Sequence, residues 1–163
     1  MPVITPKQAG GANRCAFLDA LAFSEIGPAL LAKTDNGYNV LVGSTPDDPM
    51  TFSSYARHPD LYNAHLGSTA AGRYQILARW WAVYQKLLNL PDFSPLSQDM
   101  YALQQIRERK AIALIDAGAF QAAVTACNGI WASLPGSPYG QRTNPMSALQ
   151  DAYVAAGGTL SPT

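Results

Sequence analysis

Residues 17–25 read Phe17-Leu18-Asp19-Ala20-Leu21-Ala22-Phe23-Ser24-Glu25, and Ile26-Gly27-Pro28 follow. From Asn13 to about Glu25 the pattern is helical, with Leu18, Leu21, Ala22 and Glu25 at i, i+3, i+4 and i+7. Gly27-Pro28 stops the helix. Seven steps of about 100° put Glu25 about 20° from Leu18, on the stripe that faces the core. A carboxylate there loses water, which raises its pKa and favours the protonated form. A general acid working near neutral pH needs that state. The plainer alternative is that Glu25 sits at the helix end and turns outward.

Downstream, Asp35-Asn36-Gly37 is a turn signal, and Tyr38 to Val42 is rich in strand formers, with Tyr38, Val40 and Val42 on one face. Pro46-Asp47-Asp48-Pro49 is a second turn, and Thr51 to Tyr55 reads as the return strand, giving a small hairpin or sheet over 37–55. A helix is expected from about Ala70 to Leu88, with Ile76, Trp80, Tyr84 and Leu87 forming its apolar stripe and Trp81 and Leu88 widening it. Ser94-Pro95 opens a helix running to about Arg109 that buries Met100, Leu103 and Ile106. Short helices follow near 111–117 and 119–127, divided by Gly118. Asn144-Pro145 opens a last helix, which Gly157-Gly158 closes. Residues 1–12 read as a loose arm and 13–163 as one domain. The expected class is α+β, mainly helical, with a small segregated antiparallel sheet.

Composition narrows the function. Of 163 residues, 48% are hydrophobic and only 13% charged, against about 25% charged in typical domains. The 11 basic and 11 acidic residues cancel, which argues against a nucleic-acid binder dependent on a basic surplus. Cys15 and Cys127 are too few for a disulfide scaffold and lack zinc-site spacing. His58 and His65 are seven apart with no further ligand near them, so no metal and no cofactor is expected. No nucleophile elbow and no phosphate-binding glycine motif is present. Apolar runs break well before the ~20 residues of a membrane span. Met1 to Gly11 has neither a secretory signal's apolar core nor an anchor. The expectation is a chain made in the cytosol without stable membrane insertion.

Two further stretches favour a working site. Gly67-Ser68-Thr69-Ala70-Ala71-Gly72-Arg73-Tyr74-Gln75 is a small-residue run in which a ligand can approach the backbone, with Arg73 and Gln75 as hydrogen-bonding groups. Its plainer reading is tight packing with a solvated arginine. Ile130 to Gly136 leads to Pro138-Tyr139-Gly140-Gln141, where aromatics beside Gly and Pro suit stacking on sugar rings. Trp131 alone reads as core.

With these blocks the chain resembles the bacteriophage lambda endolysin type of lytic transglycosylase, from about Ala16 to Gly158. The resemblance is carried by Phe17-Leu18-Asp19 with Ser24-Glu25, and by Gly37-Tyr38 with Val42-Gly43. Ser68-Thr69, Ala71 to Gln75, Trp80-Trp81 and Asp92 to Pro95 continue it. Ala102 to Ile106, Ile130 to Gly136 and Tyr139-Gly140-Gln141 complete it. The resemblance implies a lysozyme-like fold with a small β-sheet flanking a substrate cleft. It implies cleavage of the β-1,4 bond between N-acetylmuramic acid and N-acetylglucosamine in peptidoglycan glycan strands, with 1,6-anhydromuramic acid formed. Glu25 takes the catalytic position. Tyr38, Asn39, Val42, Gly43, Ser68, Arg73, Tyr74, Gln75 and Tyr139 take binding positions. It also implies release from the host bacterial cytoplasm to the periplasm and wall through a holin.

The chain departs from the family at several places, Cys15 and the Pro46-Asp47-Asp48-Pro49 turn among them. Phe23-Ser24-Glu25-Ile26-Gly27 stands where Trp-Ser-Glu-Gly-Thr is common, and Asn39 stands where Asp is usual. A transglycosylase manages with one carboxylate, because the sugar's own 6-hydroxyl is the nucleophile. A hydrolytic muramidase pairs two; Asp35, Asp47 and Asp48 are then the candidates for the second, although their residue type also suits turns. The non-enzymatic alternative is an inactive peptidoglycan-binding module.

Overall fold

The structure, a computed structural model, describes residues 1–162. Eight helices follow in chain order: α1 (Pro6–Ala9), α2 (Ala12–Glu25), α3 (Pro28–Lys33), α4 (Ala78–Leu87), α5 (Pro95–Glu108), α6 (Ile112–Asp116), α7 (Phe120–Cys127) and α8 (Met146–Ala155). The chain divides into two compact units: residues 1–25 with 102–163, and residues 26–101. Among the described residues, no helix is long and apolar enough to cross a membrane.

The first unit is built around α2. Cys15, Ala16, Phe17, Leu18, Ala20, Leu21, Ala22 and Ser24 are all buried, more than one stripe, because α1, α6 and α8 all pack on this helix. Phe17 meets Phe120 of α7 edge-on at 5.8 Å, and Phe120 lies 4.6 Å from Tyr153 of α8. Asn13 ties the ends of the unit together: its Nδ2 donates to the Ile115 carbonyl at 3.1 Å, and its Oδ1 accepts from the Thr159 amide at 3.0 Å. Cys15 and Cys127 are buried, and the Cys15 thiol donates to the Ile4 carbonyl at 3.5 Å. The expected loose arm is ordered differently. Thr5 caps α1, accepting from the Gln8 amide while the Gln8 side chain accepts from the Thr5 amide, the reciprocal arrangement that satisfies two helix-end donors.

The second unit departs further from expectation. Gly27-Pro28 ends α2, but Pro28 also opens α3 as its first residue, where a missing N–H does no harm. The expected sheet is reduced to isolated antiparallel bridges, Val40 with Thr51, Leu41 with Ala71, Asn63 with Ser68, and Ala71 with Ile76. Leu41 donates to the Met50 carbonyl and Phe52 to that of Asn39, so 37–55 does fold back on itself. The run cannot lengthen into a ladder, because Gly43 (φ 87°), Gly72 (φ 81°) and Gln75 (φ 47°) leave the extended region, and Pro46 and Pro49 lack an amide to donate.

The same geometry delays the helix expected from Ala70. Residues 70–77 are bridge and turn, and α4 starts at Ala78. Its buried face is offset by one residue from the expected stripe: Trp81 is 3% exposed, whereas Trp80 is 49% exposed and Leu87 63%. Trp81 packs edge-on against Phe93 at 4.8 Å, and His58 sits 4.6 Å from the same ring. On α5, Leu103 and Ile106 are buried as expected, but Met100 is 42% exposed.

A polar core lies among these rings. Asp99 is fully buried, and its Oδ1 accepts from the Tyr38 hydroxyl at 2.8 Å and the Tyr74 hydroxyl at 2.6 Å. Buried polar groups need such partners, since an orphaned one costs about 1–3 kcal/mol. Burial, then the Asp99 charge, push the Tyr74 phenol well above its usual pKa, so it stays a donor. The fully buried Gln98 donates to the carbonyls of Tyr38 and Phe93 and accepts from the Arg73 amide.

Gly72 is the pivot of this packing. A Cβ there would stand 2.2 Å from the Gln98 Oε1, in a left-handed backbone that side chains disfavour. Gly72→Ala is expected to cost about 2–5 kcal/mol, from backbone strain and overpacking together. Urea unfolding checks this, and a midpoint equal to the parent's contradicts the account of the 26–101 unit.

Candidate active site

Glu25 is the last residue of α2. That end of a helix carries unpaired carbonyls and a partial negative charge, which already disfavours a carboxylate. The side chain is half-buried. Desolvation pushes its pKa up from the ordinary carboxylate range to about 7, and hydrogen bonds from the Ser133 hydroxyl and then the Ser133 backbone partly oppose that rise. Ser133 donates to Glu25 Oε1 at 2.5 Å. The Ser133 Oγ is also 2.7 Å from the Ser24 Oγ, and Asn144 Nδ2 lies 3.1 Å from both the Ser24 Oγ and the Ser24 carbonyl. The Asn144 amide donates to the Ser133 carbonyl at 2.9 Å. Glu25 thus lies at one end of a short line of polar groups, all within the first unit. The outward-turned alternative does not hold for this carboxyl.

The binding candidates divide by what their side chains do. Tyr38 and Tyr74 are buried, with both hydroxyls on Asp99. Arg73, expected as a substrate donor or a solvated cation, is buried at 1% exposure; it donates to the Asn36 carbonyl at 2.5 Å and lies over the Tyr38 ring. These three side chains are buried and spent on contacts inside the 26–101 unit. Asn39, half-buried, accepts from the Asp35 amide at 3.0 Å. Val42 donates from its amide to the Ala70 carbonyl, and its own carbonyl accepts from Asn63 Nδ2. Gly43 is exposed beside that asparagine. Gln75, half-buried, donates from Nε2 to the Gly72 carbonyl at 2.9 Å. Ser68, with Tyr62, Thr69 and Arg79, lines an open depression of about 510 Å³. In the first unit, Tyr139 is exposed and its hydroxyl donates to the Gly129 carbonyl at 2.7 Å.

The other titratable side chains are committed elsewhere. Asp35 accepts from the Tyr55 hydroxyl at 2.5 Å. Asp47 and Asp48 lie in an exposed turn, closed by paired backbone bonds between Thr45 and Asp48. His58 is buried; its Nε2 must donate to the Ile76 carbonyl at 2.7 Å, because Nδ1 accepts from the Asp60 amide at 3.0 Å. Burial lowers its pKa and keeps it in that neutral form. Trp131 is core, at 3% exposure.

Sequence reasoning missed Ser133 and Asn144. They stand 108 and 120 residues from their partners on α2, and a serine or asparagine in a Gly/Pro-rich loop gives no local signal of such a contact.

Comparison with known proteins places the chain in a family. A profile of the Endolysin family matches residues 15–160. The endolysin of Escherichia phage lambda is 48% identical over 152 residues, covering 91% of this chain and 93% of that protein. The endolysin of Escherichia phage P2 is 46% identical, covering 97% and 98%. Among solved structures, bacteriophage lambda lysozyme complexed with a chitohexasaccharide superposes with a TM-score of 0.83 at 46% identity, covering 92% of this chain and 97% of that one. Lambda lysozyme in a second structure gives 0.79 at 44% identity. The fold is therefore that of lambda lysozyme, and the chain belongs to the endolysin family.

Proposed function

We propose that this phage endolysin degrades peptidoglycan as a lytic transglycosylase, with Glu25 as its single acid and base. The observation that carries the reading is the half-buried Glu25 carboxyl, held by Ser133 and with its pKa pushed up to about 7. A carboxyl of that pKa is substantially protonated near neutral pH and still able to take the proton back. The oligosaccharide on the related lambda lysozyme supports a glycan substrate.

In the proposed reaction, Glu25 gives its proton to the glycosidic oxygen as the bond from that oxygen to the muramic acid C1 breaks. The 6-hydroxyl of the same sugar then bonds to C1 and returns its proton to Glu25. The products are a shortened strand and a 1,6-anhydromuramoyl end, with no water consumed. An intramolecular nucleophile is already in place, so no second carboxylate is required. What supports this over hydrolysis is the state of the other candidates. Asn39 carries no charge, Asp35 is engaged by Tyr55, and Asp47 and Asp48 belong to an exposed turn.

Glu25→Gln keeps the shape of the side chain but cannot exchange the proton. Its activity on purified peptidoglycan is expected to fall about 10²–10⁴-fold. Mass analysis of the parent's products should show fragments one water lighter than hydrolysis products and resistant to borohydride. Reducible products, with Asp35, Asp47 or Asp48 as essential as Glu25, would establish a two-carboxylate muramidase instead. A fully active Glu25→Gln would falsify the reading altogether.

The raised pKa also fixes the sign of a pH effect. Between about pH 4.5 and 7 the unfolded chain ionises Glu25 while the folded chain keeps the proton, so this residue lowers stability progressively as pH rises through that window. Activity that needs the protonated acid is expected to decline above about pH 7. Thermal melts of Glu25→Gln should gain on the parent from pH 5 to pH 7 and not below pH 4. A constant difference across that range contradicts the desolvated carboxyl.

The proposal includes release to the wall through a pore made by a partner such as a holin. Cells expressing the chain should lyse when such a partner is present or the inner membrane is breached. Prompt lysis without either sinks this part.

A further inference from the structure

The line of groups behind Glu25 has a direction, and the direction is set at its far end. The Ser24 carbonyl can only accept, so the Asn144 side-chain atom 3.1 Å away is the donating Nδ2. The same Nδ2 is 3.1 Å from the Ser24 Oγ, which therefore accepts there. Nδ2 cannot accept, so the acceptor the structure gives the Ser24 hydroxyl proton is the Ser133 Oγ at 2.7 Å. Ser133 has one proton left, and it goes to Glu25 Oε1 at 2.5 Å. Each hydroxyl accepts once and donates once, and the backbone bond from Asn144 to the Ser133 carbonyl holds the two ends in register.

We propose that Ser133 is a positioning residue for Glu25, and that Ser24 and Asn144 fix the direction of its hydroxyl so that it donates to Oε1 and leaves the transferable proton on Oε2. The proposal rests on the reading of Glu25 as the acid and adds which oxygen works. A hydroxyl locked as a donor cannot accept a proton from Oε1, so the protonated carboxyl carries its hydrogen on the other oxygen. The proton leaves Oε2 for the glycosidic oxygen, and the 6-hydroxyl proton returns to Oε2. Oε1 stays bonded to Ser133 throughout, and that bond strengthens as charge appears on the carboxylate.

Among the described residues, no charged group is a cause of the Glu25 shift. Asp19 of the same helix pairs with the terminal amine at 3.4 Å, Arg14 pairs with Asp116, and Arg142 of the 129–145 segment is exposed. Burial and Ser133 are the influences acting on the Glu25 titration.

The experiment is the pH profile of kcat on purified peptidoglycan for the parent, Ser133→Ala, Ser133→Thr and Ser24→Ala, with thermal melts to show that each folds. A donor to the ionised form holds the pKa down, so its removal is expected to move the alkaline limb of Ser133→Ala up by about one pH unit. Its kcat near neutral pH should fall about tenfold with KM little changed, the pattern of a group that positions the reacting carboxyl. Ser133→Thr, which keeps a hydroxyl, should recover both. Ser24→Ala should move the limb the same way by less, since Ser133 then keeps its donor but loses its orientation. An alkaline limb that stays in place or moves down in Ser133→Ala overturns the inference, as does a loss confined to KM. If Ser133→Ala does not fold, Ser24→Ala and Ser133→Thr decide it by the same limb. A normal Ser133→Ala beside an inactive Glu25→Gln refutes only this inference; an active Glu25→Gln refutes the reading beneath it.

Discussion

The short contact between the Ser133 hydroxyl and Glu25, 2.5 Å long, lets a carboxyl remain where helix geometry and burial both oppose its charge. Glu25 closes a helix most of whose residues are buried, and its half-buried carboxyl is held by Ser133. Desolvation raises its pKa, and hydrogen bonds from the Ser133 hydroxyl and the Ser133 backbone hold it at about 7. Either influence alone would miss the useful range: a solvated glutamate would be ionised at neutral pH, and a desolvated one without a donor would release its proton too reluctantly. The loop bearing Ser133 and Asn144 is anchored to the end of α2 by the same polar groups that tune the acid.

The second unit solves a different problem with similar means. Its bridges are too short to hold an extended sheet, so its rigidity comes from a buried polar centre. Asp99 takes two tyrosine hydroxyls on one oxygen, and Gln98 pins three separate backbone positions. In the same unit the rings of Phe52, His58 and Trp81 pack on Phe93, and Tyr101 packs on Trp81. Several residues that resemble binding positions in sequence, Tyr38, Arg73 and Tyr74 among them, are buried and spent on contacts inside this unit.

Local chemistry made most helices legible. Ser94 marks a boundary by capping, and Pro95, Pro145 and Gly118 by backbone preference, which act within a few residues, and α5 to α8 begin and end close to where these residues indicate. The stretch from Ala70 was misread because its composition suits a helix, while the left-handed backbone at Gly72 and Gln75 and the bridge to Leu41 are tertiary demands. The face of α4 was misread because Trp80 and Trp81 are equally apolar, and only packing on Phe93 chooses between them. In the site, Glu25 stood out because periodicity put a charge on a core stripe. Ser133 and Asn144 did not, since their partners lie more than a hundred residues away.

The central claim is that this half-buried glutamate is partly desolvated and titrates near neutral pH. The chain has only two glutamates, so labelling their side-chain carboxyl carbon with ¹³C yields two resonances, and Glu25→Gln identifies one of them. Followed against pH in the folded protein, the Glu25 signal is predicted to change with a midpoint near pH 7. A midpoint near 4.5, the ordinary value, would show a solvated carboxylate and contradict the account.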